Sequence, residues 1–104
     1  MSSPSRIISD VELQRKFNDG GYLRRWELGE LEDVVIEENH PSSPLAKEPF
    51  CTRSQMIALR VPSSQRVVAR VHRYLRPDGT IGLSGLPDPK GLLDRGVWFE
   101  LEVR

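Results

Sequence analysis

A chain of 104 residues, 38% apolar and 29% charged, has the composition of one folded domain with a single modest core, and neither two domains nor a disordered polymer fits it. Fifteen basic and fifteen acidic residues leave a net charge of zero, which argues against a generic polyanion binder. No apolar run approaches the roughly 20 residues a membrane helix needs, "MSSPSR" has no hydrophobic signal core, and the single cysteine, Cys51, permits no internal disulfide, so a cytoplasmic protein without a membrane partner is expected.

Residues 1–7 are expected to be a flexible tail. The first element is a helix over about 10–18. Ser9 can cap it, and Glu12 three residues later completes a capping box, with Ile8 and Leu13 placed for a hydrophobic staple. Leu13 and Phe17 share one face, four residues apart. "NDGG" ends the helix, with a glycine available for a left-handed cap. Residues 22–38 admit two readings. Leu23, Trp26, Leu31 and Val34 have helical spacing, whereas the β-branched "DVVIEE" favours a strand at about 33–38. The strand reading is taken for the whole stretch. "NHPSSPLAKEP" at 39–49, with three prolines and two serines, is a loop.

"SQMIALRV" and "RVVARVHRYLR" read as a hairpin. Setting Val61 opposite Val67 puts Ile57, Leu59, Val61, Val67, Ala69 and Val71 on one apolar face. A slip of one residue would mix the faces. "RPDGT" then fits a three-residue hairpin loop, with Pro77 and Asp78 in a type I turn and Gly79 left-handed. The chain returns with Ile81 opposite Leu75. Asp88 as cap, Pro89 at the first helical position and Gly96 past the end describe a short helix over about 88–95. "VWFELEVR" closes as a strand. The expected fold is α+β: a small, mainly antiparallel sheet of about five strands, with a meander over 54–85, an N-terminal helix and a short second helix.

Charge is unevenly spread along the chain. Residues 27–38 carry six acids and no base, and residues 53–76 carry six arginines and no acid. Twelve of the fifteen basic residues are arginine, whose planar fork suits carboxylate and phosphate. On the strand after Arg66, alternation places Arg70, His72, Tyr74 and Arg76 on the face opposite the apolar one. Arg60 joins them from the neighbouring strand, and Gly82 and Ser84 lie across from Tyr74 and His72. A guanidinium-rich face with an aromatic ring can hold a phosphate and stack a base. A glycine beside the ring leaves room for something flat. The same residues also fit an ordinary solvated sheet face, with the 27–38 acids neutralising the arginines.

No cofactor or metal is expected. "GTIGLSG" has the wrong spacing for a dinucleotide loop. His40, Cys51 and His72 match no zinc pattern. "PD" at 77–78 with "DPK" at 88–90 superficially resembles the PD-(D/E)xK nuclease pattern. That chemistry needs the second acid and the lysine to share one face of a strand, and Pro89 at a helix start argues against it here.

Three readings follow. The first is a non-enzymatic binding or accessory module, with Arg60, Arg70, His72, Tyr74, Arg76 and Ser84 facing an acidic protein surface or a nucleic-acid backbone. Zero net charge favours protein, because long-range attraction to nucleic acid would be weak. The second is a small hydrolase or nuclease using His72 with Asp78 or Asp88. The third is a subunit of a homo-oligomer that self-associates through the Trp98 face.

Overall fold

The computed structural model describes residues 4–39, 47–82 and 85–101. In chain order these form β1 (Ser5–Ile8), α1 (Asp10–Asp19), α2 (Tyr22–Glu27), β2 (Glu32–Asn39), β3 (Arg53–Arg60), β4 (Val67–Leu75), β5 (Asp88–Asp94) and β6 (Val97–Leu101). The strands make one six-stranded sheet in the order β1-β6-β5-β4-β3-β2. All neighbours are antiparallel except β1, which runs parallel to β6. The class is α+β with an N-terminal helix, as expected, but the sheet is mixed and has one more strand. Among the described residues no helix is long and apolar enough to cross a membrane.

α1 starts where its sequence says. The Ser9 hydroxyl accepts from the Glu12 amide at 3.2 Å and points at the Glu12 carboxylate, also at 3.2 Å. Leu13 and Phe17 are buried. Gly21, at φ 65, lets the chain turn into α2. α2 corrects the strand reading of 22–31. Helical spacing wins there because Tyr22 and Trp26 both gain contacts on the sheet side. Tyr22 stacks on Phe17 with ring centres 5.6 Å apart, its hydroxyl donates to the Leu93 carbonyl at 2.7 Å, and Trp26 packs at the edge of the core. The strand at 33–38 is present as β2.

The β3–β4 register is the expected one for most of its length, with Ile57 opposite Val71 and Leu59 opposite Ala69. These four are fully buried with Leu13, Phe17, Tyr22, Leu31 and Leu92, which sets the core between the helices and one sheet face. The register then shifts at a bulge, so Arg60 and not Val61 faces Val67. Val67 is consequently exposed, against the expectation that it faces the core, while Val61, half-buried, still packs against the core as expected. The turn after β4 is as expected. Gly79, at φ 89, donates to the Arg76 carbonyl, and Leu75 bridges Ile81.

The expected helix over 88–95 is a strand, β5. Asp88 lies opposite His72 and Pro89 opposite Val71. Pro89 sits beside the register shift between Arg70 and Val71 in the β4–β5 ladder, and a bulge is one of the places where a strand accepts proline. Arg95 and Gly96, at φ 51 and 79, form the two-residue turn into β6. Residues 5–7, expected within a flexible tail, pair with β6 together with Ile8 as an edge strand. Most of the Pro/Ser-rich loop, including His40, lies outside the described residues.

Candidate binding face

Because α1 and α2 cover one face of the sheet, the other face carries no described helix. The pairing registers place its side chains in rows. Val34, Ala58, Arg70, Gly91 and Glu100 lie on one line across β2 to β6, and Met56, His72 and Asp88 on the next. Ser54 and Tyr74 follow. Arg70, His72 and Tyr74 therefore project together as expected, and all three are half-buried.

The arginines of this face are not free charges. Arg60 Nε pairs with Glu32, across the β2–β3 ladder. Arg70 reaches Glu100 at 3.5 Å and lies 6.0 Å from the Trp98 ring centre. Arg70 Nε itself is buried without a hydrogen-bond partner among the described residues. Arg76 Nε donates to Glu48 at 2.9 Å, and this bond is the main reason its guanidinium holds its proton even more firmly than usual. The face is thus a mixture of matched charges and rings, not a basic patch. The acids responsible come from three places in the chain, of which only Glu32 belongs to the acidic segment.

The space beside Tyr74 is also filled. The Gly82 amide donates to the Tyr74 carbonyl at 2.8 Å, so the expected adjacency is present. A Cβ on Gly82 would lie 2.6 Å from Glu48 Cδ, and the Glu48 side chain is only 2% exposed. The room expected for a flat ligand is taken by that carboxylate. Ser84, expected across from His72, lies outside the described residues.

His72 has a partner that sequence reasoning missed. Ser54 Oγ lies 2.7 Å from His72 Nε2. The Tyr74 ring meets the imidazole edge-on, with centres 4.8 Å apart. Ser54 was legible in principle, because the correct register sets it opposite Tyr74 and diagonal to His72. Burial, then Lys90, push the imidazole pKa below its usual 6.5, while Asp88 pulls the other way. His72 is therefore a neutral ring at pH 7.

Asp78 is a turn residue. Its Oδ1 accepts from the Thr80 amide at 2.9 Å and the Thr80 hydroxyl at 2.7 Å, bonds that lower its pKa. Asp88 and Lys90 do share a strand, which removes one objection to the nuclease pattern. The other objection stands, because Asp78 is committed to its own turn. Among the described residues no group of three or more His, Cys, Asp or Glu side chains could hold a metal ion. The chain matches no family model, no curated protein and no solved structure.

Proposed function

We propose that the chain is a non-enzymatic binding module that engages a protein partner through the helix-free sheet face. The observation carrying this reading is the side-by-side placement of Trp98, Arg70, His72, Tyr74 and Met56 on a face that no described helix covers. Tryptophan, tyrosine, methionine and arginine are the residue types enriched where proteins meet. Ion pairing of Arg60, Arg70 and Arg76 with carboxylates favours a protein over a phosphate backbone, since phosphate binding draws on uncompensated charge. A pull-down with the whole chain as bait, with and without nuclease, tests it. The expected result is a protein retained by wild type in both conditions and lost with Arg70→Ala and Tyr74→Ala. Loss on nuclease treatment, or equal retention by both variants, overturns it.

A second reading, a small hydrolase, has one observation in its favour: the Ser54–His72 contact pairs a hydroxyl with a neutral imidazole. Asp88 faces His72 across the strand pair but makes no hydrogen bond to it among the described residues. β3 lies inside the sheet, where its amides are engaged in the ladders and offer little to a developing oxyanion.

A further inference from the structure

The helix-covered side of the sheet holds a second feature, beside α2. A cleft of about 270 Å³ opens between α2, β4 and the segment entering β5. Its walls are Leu23, Trp26, Ile81, Leu86 and Pro87, with Arg73 and Glu27 as the charged groups. Arg73 is held on two sides. Its Nε donates to Gln55 Oε1 at 2.8 Å, and its guanidinium lies 5.6 Å from the Trp26 ring centre. Gln55 is only 4% exposed and is itself fixed, donating to Glu38 at 2.6 Å.

Arg73 differs from the arginines of the other face. Arg60, Arg70 and Arg76 each pair with a carboxylate, whereas Arg73 makes no ion pair among the described residues. Nε alone is used by Gln55, which leaves the terminal fork available. A guanidinium whose rotamer is already set loses little freedom on binding, and its fork matches a carboxylate with two parallel hydrogen bonds. The apolar walls supply the surface for the rest of the ligand.

We propose that this cleft binds a small monocarboxylic acid with an apolar body, its carboxylate on the Arg73 fork and its body against Trp26, Leu23 and Ile81. A cleft of this volume suits a compact ligand such as an aryl or short branched acid. Glu27, exposed at the rim, disfavours acids carrying a second negative charge.

Phenylacetate and its neutral isostere phenylacetamide are suitable probes, titrated into the whole ¹⁵N-labelled chain. The expected result is a saturable shift of the Trp26 indole N–H with phenylacetate, leaving that of Trp98 in place, and binding of the amide weaker by about tenfold or more. Arg73→Gln should bring the acid down to the amide's level and leave the amide unchanged. Arg73→Lys should recover only part, because it keeps the charge and loses the fork. Equal binding of acid and amide by wild type overturns the proposal without any variant. So does the absence of a saturable shift below about 10 mM, where binding would be weaker than roughly 3 kcal/mol.

Discussion

The Ser54 hydroxyl and His72 Nε2 lie 2.7 Å apart on a diagonal between β3 and β4, and the Tyr74 ring, from the residue opposite Ser54, meets the same imidazole edge-on. On a binding face this contact is a positioning device that orients the imidazole beside its neighbours. In that role the serine is not a nucleophile. A fluorophosphonate probe should leave Ser54 unlabelled, and wild type and Ser54→Ala should hydrolyse p-nitrophenyl acetate at the same background rate. Labelling of Ser54, or a rate that disappears with Ser54→Ala and His72→Gln, would transfer the argument to the hydrolase reading.

Protonation of His72 couples to stability in a definite direction. Burial and Lys90 set its folded pKa below the 6.5 of an unfolded chain. In mild acid the unfolded state therefore binds more protons at this site, so stability rises with pH there. The contribution is complete above 6.5 and is lost as pH falls from 6.5 toward the lower folded value. Melting temperatures of wild type and His72→Gln, followed from about pH 7.5 to 5, should converge as pH drops. Curves that stay parallel would mean that His72 titrates alike in both states.

Leu59 and Val71 are fully buried from opposite strands of the hairpin. Truncation to alanine removes their transfer energy and leaves a space that the sheet cannot close. Leu59→Ala should cost about 2 to 5 kcal/mol and Val71→Ala somewhat less, on the order of 1 to 3. Val67→Ala should cost under about 1 kcal/mol, because the bulge turns that side chain outward. Urea denaturation of the three variants checks the ranking. A Val67 cost equal to that of Val71 would refute the bulge.

These elements differ in how far they could be read from residues alone. The capping box at Ser9 and the loop at Pro77 are local, and each is satisfied within a few residues of itself. The β3–β4 register is legible because both strands alternate and a slip would bury arginines. β5 is not legible in the same way. Asp88-Pro89 has the chemistry of a helix start, and only the register shift beside Pro89, set by pairing with β4, makes a proline acceptable in that strand. β1 depends on a partner at the far end of the chain. The open face was legible as a set of side chains but not as a charge distribution. Glu100 and Glu48 reach Arg70 and Arg76 through pairings that no local pattern encodes, while Glu32 could be suspected from the acidic run.

Asp78 serves its turn through acceptor bonds that asparagine can also make. Asp78→Asn should keep the hairpin and leave partner binding unchanged within twofold or so, on the scale of a few tenths of a kcal/mol. Amide exchange at Thr80 is the direct measurement, because its N–H is held by the Asp78 side chain. Loss of binding by a folded Asp78→Asn protein would return this residue to the site.

Gly91 is where the open face is most sensitive to one added carbon. It lies opposite Arg70 on one side and Glu100 on the other. The Trp98 indole rests on it: a Cβ there would lie 2.6 Å from Trp98 Cζ2 and 3.1 Å from Cε2. Gly91→Ala must therefore displace the ring and loosen its contact with Arg70. The new methyl points away from the core and leaves the β5 ladder intact. Its steric cost, about 1 to 3 kcal/mol if the ring resists, is partly offset by about 0.4 to 1 kcal/mol from a stiffer unfolded chain. The expected outcome is a folded protein, a shifted Trp98 indole N–H resonance, an unshifted Trp26 resonance, and weaker partner binding. An unmoved Trp98 resonance would show that the indole does not rest on Gly91, and the packing that defines this end of the face would have to be redrawn.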